Sequence, residues 1–187
     1  KTGVEVSHVG LGCMFDIINN QVILRTAYDH GVTYWDTAAG YERMGSETGI
    51  GMFFEKNPTV RKDIFLVTKG KGDLAKSLDA SLARLKTDHV ELFFVHGIDN
   101  ISAMERPEVK AFAEKAKKEG KIKFFGFSTH TNMAQCLAGA AKRTDIDHLV
   151  ITRAIGKAAI PELQQGPAKI TVTAGRMSFL RLRNVVT

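Results

Sequence analysis

The sequence contains no apolar run near the roughly 18 residues that a membrane-spanning helix needs; its longest, around Val90–Val95, has the length of a strand. Cysteine is scarce. Cys13 and Cys136 lie 123 positions apart, which excludes a dense disulfide framework and a local Cys-type zinc site and points to a reducing compartment, the cytoplasm. The chain starts at Lys1 with no basic-then-apolar leader, and its true N-terminus is expected to lie upstream. Several catalytic signatures are also missing. Gly10-Leu-Gly12-Cys-Met-Phe15 has Phe where a dinucleotide fingerprint needs its third glycine, and Gly49-Ile-Gly51 fails in the same way. There is no Walker loop and no Gly-x-Ser-x-Gly elbow. The six histidines, at 8, 30, 89, 96, 130 and 148, never form His-x-His, so no metal site is expected.

What is present is ordinary globular composition: 44% hydrophobic and 25% charged residues exclude wholesale disorder. A net charge of +6 and a pI near 9.4 suit a solvated basic surface or an anionic ligand. The basic residues are spread along the chain, tightest at Lys115–Lys123 and Arg176–Arg183, and aromatic-interleaved basic stripes of the RNA-binding kind are missing, so no nucleic-acid partner is expected.

Short runs rich in β-branched and aromatic residues recur: Val32–Trp35, Ile64–Thr68, Val90–Val95, Ile122–Phe127, His148–Thr152 and a weaker Ile170–Thr173. They are continuous rather than alternating, as in strands buried on both faces. Between them Leu74, Leu78, Leu82 and Leu85 mark one face of a helix. Ser102-Ala-Met-Glu105 has the form of a capping box opening a helix that stops at Gly120. Gln21–His30, Ser46–Asn57 and Asn132–Lys142 complete the helical set. A strand–helix period of about 30 residues predicts an α/β fold with a parallel sheet, either doubly wound or a (β/α)8 TIM barrel. Val4, Val6 and Val9 around Thr2–Gly3 predict an N-terminal β-hairpin over residues 1–12.

Four of the runs end in polar residues: Asp36, Lys69, His96 and Ser128, spaced 27 to 33 residues apart. Singly each has a dull explanation as a turn residue, a snorkelling lysine, a satisfied histidine or a cap. Together, on a parallel barrel, they would converge where the C-terminal ends of the strands open. Tyr41 follows Asp36 by five residues, in a loop over the same face. A phenol is a poor acid at neutral pH, but a buried cation held by a carboxylate lowers its pKa. Asp36, Lys69 and Tyr41 supply those parts, and His96 can hydrogen-bond a carbonyl oxygen. A tyrosine that gives a proton to a developing alkoxide requires a hydride source, which no side chain provides, so a nicotinamide is implied.

The segments Gly31-Val-Thr-Tyr-Trp-Asp-Thr-Ala38 through Tyr41, Phe65-Leu-Val-Thr-Lys69, Ser81-Leu-Ala-Arg-Leu-Lys-Thr-Asp88, Glu91-Leu-Phe-Phe-Val-His96 and Gly126-Phe-Ser128 resemble the aldo-keto reductase family, in its bacterial form. The resemblance implies a (β/α)8 barrel that binds NADP(H) without a Rossmann fold and reduces aldehydes and ketones. By position Tyr41 resembles the general acid, Lys69 the cation that tunes it, Asp36 the carboxylate on that lysine and His96 the residue orienting the carbonyl. Gly12, Cys13 and Met14 resemble a stretch beside the nicotinamide, with Asp36 also near the cofactor. Ser128 resembles the serine that holds the carboxamide. Thr129 stands where the family usually has Asn, which puts one amide contact in doubt.

The last third departs from this pattern. A closed barrel takes about 250 residues, whereas six strands are countable here, or seven with Asn184–Thr187. The chain is expected to form a single barrel domain over 1–187 that is incomplete, with 153–187 holding discontinuous pieces of the later barrel. A nicotinamide-nucleotide-binding sensor or regulatory subunit without significant turnover, and a non-functional fragment, are the competing readings. The expected partner is a small-molecule carbonyl substrate, with no membrane attachment, and the expected state is a monomer.

Overall fold

The computed structural model describes residues 4–143, 145–151 and 178–181. Strands and helices alternate along most of it. β1 is Gly10–Gly12, α1 Gln21–Asp29, β2 Tyr34–Asp36, α2 Gly45–Lys56, β3 Phe65–Gly70, α3 Leu74–Leu85 and β4 Val90–Val95. There follow α4 Pro107–Lys118, β5 Ile122–Thr129, α5 Met133–Ala140, β6 His148–Ile151 and β7 Ser178–Arg181. The sheet order is β1-β2-β3-β4-β5-β6-β7. The pairs from β1 to β6 are all parallel, and β7 pairs antiparallel with β6. This is the strand order of a (β/α) barrel, with β1 at one edge of the described sheet.

Two apolar clusters explain why these runs are continuous rather than alternating. Tyr34, Phe65, Val67, Leu92 and Phe94 pack together on one face of the sheet. Trp35, Leu66, Phe93, Phe125 and Phe127 join the helix-covered cluster on the other. Side chains along a strand alternate faces, so each strand needs apolar residues at every position. Trp35 anchors the outer layer: it lies parallel to Phe54 of α2, with ring centroids 5.7 Å apart.

Several boundaries differ from the sequence expectation. Residues 4–9 carry no strand, and Gly10–Gly12 pairs in parallel with β2, so the expected hairpin does not form among the described residues; its turn at Thr2–Gly3 lies outside them. The capping box at Ser102–Glu105 does not open a helix. Asn100 accepts from the Ser102 amide to cap a 3₁₀ turn over Ile101–Met104, and α4 begins only at Pro107. Proline is suited to that first helical position, where its missing N–H costs no hydrogen bond, and it holds Arg106 extended. Thr152, Ile170–Thr173 and Asn184–Thr187 lie outside the described residues.

Helices α2 and α3 touch through backbone. A Cβ at Gly51 would overlap the Arg84 carbonyl oxygen, whereas nothing lies within 4 Å of one at Gly40. Alanine favours helix by about 1 kcal/mol over glycine, yet the overlap dominates. Gly51→Ala is expected to lower unfolding free energy by about 1–3 kcal/mol in urea titration, and Gly40→Ala to leave it nearly unchanged. Equal stability of the two variants would contradict this packing.

Candidate active site

The period of two that builds the inner cluster also delivers the polar residues. Continuing past Tyr34 on β2 gives Asp36; past Phe65 and Val67 on β3, Lys69; past Leu92 and Phe94 on β4, His96; past Phe124 and Gly126 on β5, Ser128. The register staggers them. Asp36 is paired with Val67 and Val67 with Leu92, whereas Lys69 is paired with Phe94. The polar layer therefore climbs by two residues from β2 to β3 and again from β3 to β4, whereas Phe94 pairs with Gly126 and sets His96 level with Ser128, a stepwise stagger of the kind a parallel barrel requires. Lys69, one layer above Asp36, has the four-carbon stem needed to reach it.

The sequence-predicted group is brought together at this end of the sheet. Asp36 and Lys69 are 0% and 1% exposed, and the Lys69 ammonium donates to Asp36 Oδ1. Lys69 Nζ also donates to the Thr37 carbonyl at 2.9 Å and to Tyr41 Oη at 3.1 Å, so all three ammonium protons have acceptors. Nζ lies 4.8 Å from the centroid of the Tyr41 ring. The ring of His96 stands edge-on to that of Tyr41, centroids 5.9 Å apart. Tyr41 opens a 3₁₀ turn that leads into α2, its amide donating to the Ala38 carbonyl at 3.0 Å.

Burial and charge set the protonation states. Burial pulls the Lys69 ammonium down, but Asp36 and then Tyr41 together outweigh it, and the pKa is raised. Burial lifts the Asp36 carboxyl, with the Lys69 charge opposing; the ion pair is the state that satisfies both groups. The Tyr41 phenol is raised by burial, which exceeds the lowering by Lys69. The expected cation is present and acts in the expected direction, but desolvation dominates, so the phenol is firmly protonated at neutral pH. His96 is depressed to about 4 by burial and by the nearby charges of Lys69, Lys71 and His130. It is therefore a neutral imidazole at physiological pH, with one N–H to donate.

The cofactor residues expected from the sequence divide. Gly12 has nothing within 4 Å of where a Cβ would sit, and Met14 is 58% exposed, so the end of β1 is open to a ligand. Cys13 is wholly buried. Its amide donates to the Asp36 carbonyl at 2.8 Å, and its carbonyl accepts from Ser46 Oγ at 2.6 Å. Burial and the Asp36 charge push its thiol up, leaving it inert. Ser128 Oγ accepts from the Gly97 amide at 2.9 Å and keeps its own proton to donate. Thr129 Oγ1 donates to the Thr131 carbonyl at 2.6 Å, so that hydroxyl proton is committed. Asp36 Oδ2 is buried without a hydrogen-bond partner and has acceptor capacity left. The free acceptor, the free hydroxyl proton and the open end of β1 at Gly12 fit a hydroxyl-rich amide ligand such as a nicotinamide nucleoside; the committed Thr129 proton and the buried Cys13 thiol are not offered to it. Among the described residues no cluster of His, Cys, Asp and Glu is suited to a metal, and no helix is long and apolar enough to cross a membrane.

Sequence reasoning missed four polar residues around this group. Thr37, Ser46, Glu47 and Thr68 are each 0% exposed and hydrogen-bonded to one another in pairs. The available signal was a threonine adjoining Asp36 and another adjoining Lys69 inside otherwise apolar segments.

Residues 18–151 match the model of the aldo/keto reductase family. An uncharacterized oxidoreductase of Bacillus subtilis is 33% identical over 148 residues, 67% of this chain and 46% of that protein. An NADP(+) aldo-keto reductase of Schizosaccharomyces pombe is 30% identical over 162 residues, 74% of this chain and 45% of that protein. Among solved structures, a putative aldo-keto reductase from Pseudomonas aeruginosa superposes with a TM-score of 0.72 at 27% identity, over 87% of this chain and 69% of that one. An aldo-keto reductase from Klebsiella pneumoniae in complex with NADPH gives 0.60 at 29% identity, over 71% and 49%. The chain belongs to the aldo-keto reductase family. It spans about half the length of the curated relatives it matches.

The low pKa of His96 is directly observable. By NMR its imidazole is expected to titrate near 4, below the ordinary 6.5. Between those values the unfolded chain binds more protons at this site than the folded one, so lowering pH from about 6.5 toward 4 weakens the fold through His96. A midpoint at the ordinary value would show that burial and the neighbouring cations do not act on it.

Proposed function

We propose that the protein is an NADPH-dependent oxidoreductase that reduces an aldehyde or ketone to the alcohol, with Tyr41 as the proton donor. The observation that carries this reading is the hydrogen bond from the Lys69 ammonium to Tyr41 Oη at 3.1 Å, with Lys69 itself paired to a buried Asp36. Asp36, Ser128, Gly12 and Met14 would hold the nucleotide, which supplies the hydride received by the carbonyl carbon. The neutral His96 N–H donates to the carbonyl oxygen and orients it. As charge builds on that oxygen, Tyr41 Oη gives up its proton to it. The phenolate left behind is stabilised by the adjacent Lys69 ammonium, which Asp36 keeps charged and fixed. All four residues belong to one chain, so the chemistry needs no second copy. Both cysteines are buried and free, in accord with a reducing compartment such as the cytoplasm.

Because the raised Tyr41 phenol stays protonated through neutrality, the reductive rate should be flat there and fall only in strongly alkaline solution, as Tyr41 loses its proton. Tyr41→Phe is expected to retain NADPH binding, measured by quenching of nucleotide fluorescence, and to lose about 10²- to 10⁴-fold in kcat with a panel of aldehydes. An unimpaired variant would remove Tyr41 from the reaction. A wild-type chain that binds NADPH but turns over no member of the panel would favour a nucleotide-sensing role.

A further inference from the structure

We infer that Ser46 and Glu47, acting through Thr37 and Thr68, are positioning residues that hold the Tyr41 phenol against the Lys69 ammonium. Neither touches the reacting groups. Both lie in the first turn of α2, directly after the 3₁₀ turn that carries Tyr41. Each is tied to a residue adjoining one member of the ion pair. Ser46 Oγ donates to the Cys13 carbonyl at 2.6 Å, so the 2.7 Å bond between Ser46 Oγ and Thr37 Oγ1 has Thr37 as donor. Thr37 follows Asp36, and its own carbonyl accepts from Lys69 Nζ at 2.9 Å. Glu47 Oε1 accepts from Thr68 Oγ1 at 2.5 Å, and Thr68 precedes Lys69. At the other end of the turn the Ala39 amide donates to the Lys69 carbonyl at 3.2 Å. The segment bearing Tyr41 is thus clipped at both ends to the two strands that carry the ion pair.

The charge on Glu47 makes this more than ordinary packing. A fully buried carboxylate is costly unless it is paired and hydrogen-bonded. Glu47 meets that condition through Arg84 of α3, whose Nε donates to Oε2 at 2.7 Å. Arg84 and Glu47 would suffice to tie α3 to α2. The further bond to Thr68 runs the other way, into β3 one residue from Lys69, and adds nothing to the contact between the helices. What it fixes is the height of the first turn of α2 over the C-terminal end of β3, and with it the position of the Tyr41 turn.

The inference rests on Tyr41 acting beside Lys69, and its test reads the phenol directly so that it does not depend on turnover. Thr68→Val breaks the link to β3 and leaves the Arg84–Glu47 pair. Thr68→Ser restores the hydroxyl. The ionisation of Tyr41 is followed by ultraviolet absorbance, each variant being subtracted from the same variant carrying Tyr41→Phe, alongside thermal melting and kinetics. In Thr68→Val the phenol, less closely held by Lys69, is expected to titrate higher by about half a unit or more. Its kcat should fall about 10- to 100-fold with KM little changed, and Thr68→Ser should recover both. Gly139→Ala, whose added Cβ would overlap the Ile101 side chain outside this network, should lower the melting temperature without moving the titration. The proposal is overturned if Thr68→Val melts lower but titrates Tyr41 as the wild type does. Should Thr68→Val fail to fold, Ser46→Ala takes its place with the same two outcomes. If the wild type reduces no carbonyl compound, the reductase reading fails, and the titration alone still decides whether these residues position Tyr41.

Discussion

The ion pair between Lys69 and Asp36 is the interaction on which the rest of this site depends. Both groups are removed from water, and breaking such a pair by losing one partner costs about 3–5 kcal/mol. A chain keeps an arrangement of this kind only where the surroundings complete it. Here they do: the second ammonium proton goes to a backbone carbonyl and the third to Tyr41. The result is a phenol that holds its proton in neutral solution, with a fixed positive charge beside the oxygen that would become negative on losing it.

The pair exists because of the stagger of the sheet. Asp36 and Lys69 occupy successive inner layers on adjacent strands, so a carboxylate on a short side chain sits beneath an ammonium on a long one. The apolar inner cluster of Tyr34, Phe65, Val67, Leu92 and Phe94 lies below them and excludes water from that side. From above, the Tyr41 turn covers the ammonium, and α2 anchors that turn. The same network therefore links core packing, the charge state of a lysine and the proton affinity of a tyrosine. His96 and Ser128 stand one strand and two strands further on. They are joined through the loop after β4, where the Gly97 amide donates to Ser128 Oγ at 2.9 Å and the Ile98 amide to the Ser128 carbonyl at 2.8 Å. A ligand group held by Ser128 would thus be registered at the segment bearing His96.

Much of this was legible in the sequence because it follows from periodicity. Asp36, Lys69, His96 and Ser128 end apolar runs, and strand period alone sends them to one face. The cation beside Tyr41 was legible for the same reason, but its net effect was not: burial, which exceeds the influence of Lys69 on the phenol, is a property of the packed state. Glu47 was hidden for a different reason. An acidic residue in the first turn of a helix is ordinarily a solvated partner of the helix dipole, and only tertiary packing turns it inward. Ser102–Glu105 shows the reverse failure, a local capping signal overridden by Pro107. The valines at 4, 6 and 9 have strand propensity but no partner strand among the described residues, and propensity without pairing leaves them irregular.

The most direct test of the account is single-turnover reduction of an aldehyde by the purified chain with NADPH, followed by loss of the nucleotide's near-ultraviolet absorbance, with Lys69→Met alongside. The account predicts that the wild type consumes the nucleotide and that the variant does so at least about 100-fold more slowly with the nucleotide still bound. Equal rates in the two proteins would contradict it, because they would show that the buried ammonium is not what readies Tyr41 to give up its proton.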